Sequence, residues 1–280
     1  MLWMAASGLL FSVLNTLLKQ LSHEMEPWLA AFLRYLVGTL IVATVLLRQG
    51  LRRLWPRRPG LQFARGALHT TGTLFWFAAV PGISLAELTA IAFSLPIWIC
   101  IGAVLFLGER MSAARWTAVL VGFAGVLLVA DPFGPGGFAG VSVSTFLLLA
   151  SAPAFALSFL VAKVLTRSDS SEVMVLWQHF WACALLAPIA LAFWAAPSAR
   201  QWLLFAACGV VGAMAHYCAT QAFRIADLSA VQPVKFLDLI WASLLGLLVF
   251  GAVPAGATIA GGAVILASTL WLARREARGT

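Results

Sequence analysis

Long apolar runs alternate with short polar segments along the whole chain. Each run is about as long as the roughly 20 residues that a helix needs to cross a bilayer. Ten such runs are present, over residues 2–21, 28–47, 61–79, 84–107, 114–130, 142–165, 173–194, 201–223, 227–250 and 255–273. The segments between them are too short for a soluble domain. The pattern therefore predicts an all-α membrane protein with ten transmembrane helices.

A Gly/Pro-rich connection divides these ten spans into two sets of five. Because five is odd, a second half homologous to the first would cross the membrane in the opposite sense, as in many secondary transporters. Residues 84–111 align without gaps on residues 227–254, with Gly108 opposite Gly251. We therefore predict two inverted five-helix repeats, over 1–133 and 142–280, joined by a loop at 134–141.

Composition and charge support this class of protein. The chain has 280 residues, of which 62% are hydrophobic and 10% charged, and this composition excludes an ordinary soluble domain. The net charge of +8 does not indicate nucleic-acid binding, because the basic residues lie between apolar runs. We expect a lipid bilayer and a small-molecule substrate as partners, no nucleic acid, and a monomer in preference to a homodimer.

The distribution of Lys and Arg predicts the orientation, because cytoplasmic loops are enriched in these residues. With the N-terminus inside, 14 of the 18 fall on the inner side, only Lys19 and Arg200 fall outside, and Arg34 and Lys235 lie within spans. We expect a multi-pass protein of a bacterial-type inner membrane with both termini in the cytoplasm.

The ninth run carries Lys235 and Asp238 near its middle. A charge at the centre of a span costs about 2.5 to 3.5 kcal/mol on insertion scales, so such charges pair or serve a pathway. Residues three apart share a helix face, so these two can neutralise each other. Two alternatives remain open: a structural ion pair, or a site that binds substrate or couples ions. Gln232 lies three residues before Lys235 and is a further candidate for substrate binding.

Two prolines lie inside spans and are candidate hinges. Pro233 removes a helical hydrogen bond one turn before the charged pair, and Pro96 is its rough counterpart in the fourth span. Glu87, near the outer end of the fourth span, is a candidate for proton coupling beside Asp238, or else an acid that extends to the membrane surface.

Polar and aromatic side chains indicate where a ligand could lie. His69, Thr73 and Trp76 form one stripe on the third span, where the alternatives are helix packing and a cavity lining. His216 holds a comparable place in the eighth span, and Trp98 lies close to Pro96. We include all five among the candidate substrate-binding residues.

Motifs for catalysis, nucleotide phosphates or metals are absent from the sequence, and the four cysteines lie singly within apolar runs. We therefore expect no enzyme activity, no catalytic residue, no cofactor and no metal. Without an ATP-binding element, transport would use a gradient or equilibrate the substrate.

The chain resembles the ten-span EamA-type transporters of the drug/metabolite transporter superfamily. The residues that carry the resemblance are Arg34-Tyr35, Pro96, Leu107 to Arg110, Ala226 to Ser229, Pro233 to Leu239, and Phe250-Gly251 followed by Pro254. It implies alternating access around a central cavity lined largely by the third, fourth, eighth and ninth spans. Relatives of this kind, which include the aromatic amino-acid exporters, move amino acids and other small metabolites such as nucleotide-sugar-like, vitamin or sulfonium compounds.

One position departs from the family pattern. The acid that often follows the glycine of the second-half block is Ala252 here, whereas Glu109 keeps it in the first half. We expect Glu109 to cap a helix or to pair with Arg110 or Arg115 at the cytoplasmic edge.

The sequence thus favours a secondary transporter of small organic metabolites, with amino acids or similar zwitterions as the preferred class. Lys235 would hold a carboxylate, and Asp238 or Glu87 would attract an ammonium group. The alternatives are a membrane-embedded enzyme for lipid-linked substrates and an assembly subunit that does not transport.

Overall fold

The structure, a computed structural model, describes residues 1–21, 24–79, 88, 91–130, 142–251, 253 and 256–278. The regular secondary structure of these ranges is entirely helical. The helices are α1 (Leu2–Leu21), α2 (Pro27–Leu47), α3 (Pro59–Ala79), α4 (Leu95–Leu107), α5 (Ala113–Ala130), α6 (Val143–Leu165), α7 (Ser171–Ala192), α8 (Ala199–Ile225), α9 (Leu228–Lys235), α10 (Leu237–Phe250) and α11 (Gly256–Arg278). A short 3-10 helix, Leu51–Leu54, lies between α2 and α3. The predicted all-α fold is confirmed.

Seven helical stretches of the described chain are long and apolar enough to cross a membrane. They are α2, α5, α6, α7, α8, α9 together with α10, and α11. Helices α1 and α4 are apolar over shorter lengths, Leu2–Leu18 and Leu95–Leu107. The protein is therefore a multi-pass membrane protein, and the count of ten spans stays a prediction.

Two predicted spans are interrupted. The ninth run, expected as a single helix over 227–250, forms α9 and α10 with a break at Phe236. In the fourth run, predicted over 84–107, the chain is helical at 91–92, turns at 93–94 and continues as α4.

Local sequence explains where several helices begin and end. Ser142, Ser170 and Ser198 each accept a hydrogen bond from a backbone N–H of the first turn of α6, α7 and α8. Gly108 and Gly251 end α4 and α10 with φ of 67° and 65°, a conformation that favours glycine. These are the two glycines that the internal alignment places opposite each other.

Contacts between helices α1–α5 and helices α6–α11 come in matched pairs. Helix α1 packs on α8 and α3 packs on α6, so the first helix of each half contacts the third helix of the other. The second helices, α2 and α7, contact each other, as do the fifth, α5 and α11. Helix α4 packs on α6, and α10 packs on α1. This pairing is the one expected if the two halves are related as the predicted repeats.

Helices α5 and α11 approach closely at two glycines. A Cβ atom added to Gly125 would lie 2.9 Å from the carbonyl oxygen of Gly261, and one added to Gly261 would collide with the carbonyl of Gly125. Small residues permit such close contact between membrane helices. Because the obstructing atoms belong to the backbone, they cannot move aside as a flexible side chain would.

We expect Gly261→Ala to destabilise the protein by about 1 to 3 kcal/mol, the usual cost of overpacking. Gly246→Ala is the matched control, because Gly246 also lies within a helix but has open space around its Cα. The control should be neutral or stabilising by up to about 1 kcal/mol, the difference in helix propensity. Thermal unfolding in detergent measures both, and equal effects would contradict the packing argument.

Candidate functional site

Lys235 and Asp238 form an ion pair across the break between α9 and α10. Lys235 is the last residue of α9, and Asp238 lies in the first turn of α10. The Lys235 ammonium donates to Oδ2 of Asp238, and the two side chains are 20% and 18% exposed. The predicted ion pair between Lys235 and Asp238 is confirmed, but the two residues lie in different helices and not on one helix face.

Helix α1 completes the surroundings of this pair. The ammonium nitrogen of Lys235 lies 5.2 Å from the centroid of the Phe11 ring, at the distance of a cation–π contact. Gly8 leaves room for the carboxylate, since any Cβ there would collide with Oδ1 of Asp238. That Oδ1 is buried and accepts no hydrogen bond from the protein. The pair thus lies where the two halves meet, with one carboxylate oxygen unused.

Three buried histidines meet beside the ion pair. The ring of His216 on α8 packs edge to face against those of His69 on α3, at 5.6 Å between centroids, and His179 on α7, at 5.3 Å, and all three side chains are buried. His216 also packs on Phe11, at 4.9 Å. Phe11 therefore contacts both the Lys235 ammonium and the histidine cluster, which joins the two polar groups into one site.

Helix α2 adds Tyr35 to the cluster. Its hydroxyl shares a hydrogen bond of 2.7 Å with Nε2 of His69, and its ring packs against His179 at 5.4 Å. The guanidinium of Arg34 lies 4.2 Å from the centre of the Tyr35 ring. Gly38 leaves space for His179, because a Cβ there would lie 2.6 Å from Nδ1 of that histidine. Nδ1 of His69 and Nδ1 of His179 are buried and have no hydrogen-bond partner in the protein.

The structure brings together only some of the predicted site residues. Four of them converge at this site: Lys235, Asp238, His69 and His216. His179, which is not among the sequence candidates, joins them. Among the described residues, no group of three or more His, Cys, Asp or Glu side chains has the arrangement of a metal site.

Four of the other candidates have hydrogen bonds or ring contacts within their own helices or are exposed. Thr73 donates to the carbonyl of His69 and Gln232 to that of Leu228, both one turn back in their own helices. Trp76 packs against the neighbouring ring of Phe77 at 5.1 Å, and Trp98 is 41% exposed. Glu87 lies outside the described residues.

The helix breaks lie near the predicted proline hinges and not at them. The break in the second half is at Phe236, three residues after Pro233, where the Phe236 amide donates back to the Pro233 carbonyl. In the first half, Pro96 occupies the first turn of α4, just after the turn at 93–94. Proline suits that position because it has no N–H to bond.

The two breaks touch each other. Phe93 and Phe236, which the internal alignment pairs, stack with ring centroids 6.5 Å apart and planes inclined by 20°. Gly122 on α5 leaves room for Phe236, since a Cβ there would lie 2.5 Å from its ring. Broken helices that meet at a repeat interface are typical of substrate sites in secondary transporters.

At one edge of the bundle, Glu109 caps α9. Its two carboxylate oxygens accept hydrogen bonds from the backbone N–H of Leu228, at 2.7 Å, and of Ser229, at 2.9 Å. Of the two expected roles, capping or pairing with Arg110 or Arg115, the structure shows the capping role. Arg115 forms an ion pair of 3.0 Å with Asp227. The free amides of a helix N-terminus favour a carboxylate partner.

We expect Glu109→Ala to lower the free energy of unfolding by about 1 to 2 kcal/mol, the usual cost of losing a helix cap. Glu26→Ala provides the control, because Glu26 also precedes a helix but makes no capping hydrogen bond through its side chain. Chemical denaturation in detergent compares the two. Equal losses would show that Glu109 does not act as a cap.

A comparable contact on the same edge involves Asp169. Its carboxylate accepts from the backbone N–H of Arg57 at 2.9 Å and from the Gln62 side chain at 2.7 Å, so the α6–α7 connection holds the start of α3. Arg65, grouped by sequence with the cytoplasmic cations, is buried one turn further along α3 and donates to the carbonyl of Met174. Sequence reasoning missed both contacts.

The opposite edge is also closed by an ion pair. Glu24 accepts from Arg200 at 2.6 Å and from Gln201 at 3.0 Å, which links the α1–α2 connection to the start of α8. These hydrogen bonds lower the pKa of Glu24 below its ordinary value. Both edges of the bundle are therefore tied across the two halves.

Known proteins resemble the chain over nearly its whole length. A riboflavin transporter of Rhizobium johnstonii is 32% identical over 99% of this chain and 91% of its own. An S-adenosylmethionine uptake transporter of Rickettsia prowazekii is 23% identical over 98% of this chain and 92% of its own. A pseudopaline exporter of Pseudomonas aeruginosa is 28% identical over 95% of this chain and 93% of its own. A solved crystal structure has the same fold, with a TM-score of 0.85 at 22% identity, over 99% of this chain and 96% of that one.

The sequence profile of the EamA-like transporter family matches residues 1–130 and 143–274. These two segments include both of the breaks that meet at Phe93 and Phe236, and all the residues of the ion pair and the histidine cluster. The chain belongs to the EamA-like transporter family.

Proposed function

We propose that the protein is a secondary carrier of small organic metabolites that works by alternating access. The observation that carries the proposal is the joint site at Phe11, where a half-buried ion pair and a buried histidine cluster meet between the two halves. Ionisable side chains inside membrane helices are functional by default. The substrate-binding residues in this proposal are Lys235, Asp238, His69, His179, His216 and Tyr35.

The mechanism rests on an inverted repeat. Residues 1–133 and 142–280 form the two repeats in this proposal, and the paired helix contacts and the stacked breaks support it. The contacts of Glu109 and Arg115 close one edge, and the Glu24 contacts close the other. Opening one edge while the other stays tied would expose the central site to alternate sides of the membrane. Phe236 and the turn at 93–94 are the points where the helices bend.

The favoured substrate is a planar heteroaromatic metabolite, with riboflavin as the first candidate. The site is built largely from rings, and Phe11, Tyr35 and the three histidines can stack against a flat ligand while the imidazoles bond to its polar edge. The riboflavin transporter of Rhizobium johnstonii supports this choice through its similarity over the whole chain.

A zwitterion is the second candidate, and the ion pair favours it. Lys235 and Asp238 offer opposite charges side by side, which suits a ligand that carries both a carboxylate and an ammonium group. S-adenosylmethionine, named for one relative, carries such a group beside a planar adenine. Amino acids, the class favoured by sequence alone, are not named for the relatives compared above.

We place the carrier in a bacterial-type inner membrane with both termini in the cytoplasm, on the distribution of Lys and Arg. The edge that contains Glu109 and Asp169 is then the cytoplasmic one. The relatives include both uptake and export proteins, so the proposal leaves the direction of flux open.

A thermal-shift panel on the purified protein in detergent tests the substrate class. The ligands are riboflavin, S-adenosylmethionine and tryptophan, each at increasing concentration. A ligand at 100 times its Kd stabilises the folded state by about 2.7 kcal/mol, so binding raises the unfolding temperature. We expect riboflavin to give the largest shift and the Lys235→Ala/Asp238→Ala variant to give none. Stabilisation by none of the three ligands would contradict the proposed class.

A further inference from the structure

A cleft at the Glu109 edge has a volume of about 820 Å³. It lies between the ends of α4, α6 and α8 and the starts of α5 and α9. The charged side chains that line it are five cations, Arg110, Arg115, Lys163, Arg167 and Arg224, and two carboxylates, Glu109 and Asp227. Its volume is within the range of small-molecule sites. We call it the basic cleft.

Both carboxylates of the basic cleft already have partners. Glu109 accepts from the amides of α9, and Asp227 pairs with Arg115. Neither carboxylate makes an ion pair with Arg110, Lys163, Arg167 or Arg224. The positive charge of these four side chains is therefore left without a carboxylate partner inside the cleft.

Two of these cations are held in place by neutral groups. Lys163 donates to the carbonyls of Phe223, at 2.7 Å, and Ala226, at 2.6 Å, and Arg224 donates to the carbonyl of Asp169 at 2.5 Å. Carbonyl oxygens orient a cation but do not cancel its charge. Arg110 and Arg167 are exposed at the mouth of the cleft. The arrangement thus combines two cations held by backbone carbonyls with two exposed ones at the mouth of the cleft.

We propose that the basic cleft binds an oxyanion of the phosphate class. A phosphate group carries up to two negative charges and accepts hydrogen bonds on several sides, which suits cations converging from three helix ends. The source is either a soluble phosphorylated metabolite or the headgroup of an anionic phospholipid. The cleft is separate from the site at Phe11, and its occupancy does not depend on which substrate that site takes.

The simplest alternative is that these cations only set the orientation of the protein in the membrane. Basic residues at a cytoplasmic edge do so without binding any ligand. A variant that removes charge from the cleft, compared with one that removes the same charge elsewhere on this edge, separates the two explanations.

The test variant is Arg110→Gln/Arg167→Gln, because the structure shows no hydrogen bond or ion pair from either of these two exposed side chains. The matched control is Arg52→Gln/Arg58→Gln, two exposed arginines of the α2–α3 connection that do not line the cleft. The probe is inorganic pyrophosphate, titrated calorimetrically in about 0.1 M salt, where the Debye length is about 10 Å, against the purified protein in phosphatidylcholine nanodiscs. Thermal unfolding verifies that each variant is folded.

We expect the cleft variant to bind pyrophosphate about tenfold more weakly than the wild type, the effect of losing charge-assisted hydrogen bonds. The control should change the affinity less than about twofold, since exposed distant charges are screened. Arg110→Lys/Arg167→Lys, which keeps the charge, should recover most of the binding and serves if the Gln variant fails to fold.

A second arm identifies the source of the phosphate. The same titration is repeated in nanodiscs that contain phosphatidylglycerol. Loss of pyrophosphate binding indicates that a lipid headgroup occupies the cleft, and unchanged binding indicates a soluble ligand. Both outcomes support an oxyanion site. Absence of pyrophosphate binding to the wild type in phosphatidylcholine, or equal weakening in the cleft and control variants, would overturn the proposal.

Discussion

Replacing Lys235 with Ala is expected to lower the free energy of unfolding by about 3 to 5 kcal/mol, because it leaves a carboxylate that is only 18% exposed, within a membrane span, without its partner. Asp238→Ala should have a similar effect, since it strands the ammonium group. The double variant should recover most of the lost stability, as the removal of both charges leaves neither uncompensated. The pair lies between Gly8 and Phe11 of α1, which provide no opposite charge.

Transport distinguishes a structural pair from a substrate site. If the pair binds substrate, all three variants lose flux in liposomes, including the double variant that folds well. If the pair is only structural, the double variant keeps its flux.

The exposed pair Arg200–Glu24 is the control for the stability measurements. Single changes there should leave the free energy of unfolding nearly unchanged, because surface pairs contribute little.

Replacing His69 with Phe is expected to destabilise the protein by about 1 to 3 kcal/mol, because it leaves the buried Tyr35 hydroxyl without a hydrogen-bond partner. Tyr35→Phe should cost less, and the double variant should recover part of the loss. Tyr35→Phe keeps the six-membered ring and its edge-to-face packing on His69, so its effect isolates the hydrogen bond, whereas His69→Phe also enlarges the ring.

The same changes should raise the half-saturating substrate concentration about tenfold, which corresponds to one hydrogen bond of about 1.4 kcal/mol. Tyr217→Phe is the matched control, since Tyr217 also has a hydrogen-bonded hydroxyl, from Gln221 at 2.7 Å, but packs on Trp3 instead of the histidines. An equal rise in the Tyr217 variant would show that the cluster has no special role in binding.

Features set by short-range geometry could be predicted from the sequence. Lys235 and Asp238 are three residues apart, and this short separation keeps their side chains close enough to pair even though a helix break at Phe236 lies between them. The alignment of the halves predicts that Gly108 and Gly251 correspond, and both end a helix in the same left-handed conformation. Apolar run length likewise predicts most helix bounds to within a few residues.

Features set by contacts between distant helices could not be predicted from the sequence. The position of the break at Phe236 depends in part on Thr269 of α11, whose hydroxyl donates to the carbonyl of Pro233 at 3.1 Å. Proline alone indicated a bend without fixing its position. Glu109 likewise caps a helix more than 100 residues away, and no local pattern shows that partner.

The central site shows the same limit. His69 stands in a stripe on the third span and His216 holds a comparable place in the eighth, so sequence indicates both. His179 is not among the sequence candidates, because the sequence of α7 alone does not determine its register against α3 and α8. Gly8 and Gly38 became meaningful only when the structure placed Asp238 and His179 against them. A polar residue within an apolar run was the only available signal for His179.

The measurement that tests the central claim most directly is counterflow in liposomes that contain purified protein and no ATP. Vesicles are loaded with unlabelled riboflavin, and the transient uptake of labelled riboflavin is followed from outside. The account predicts transient accumulation by the wild type and none by the Lys235→Ala/Asp238→Ala variant, which should be folded. Equal counterflow by both proteins would contradict the assignment of the site, and absence of counterflow by the folded wild type with riboflavin, S-adenosylmethionine and tryptophan would contradict the proposed carrier.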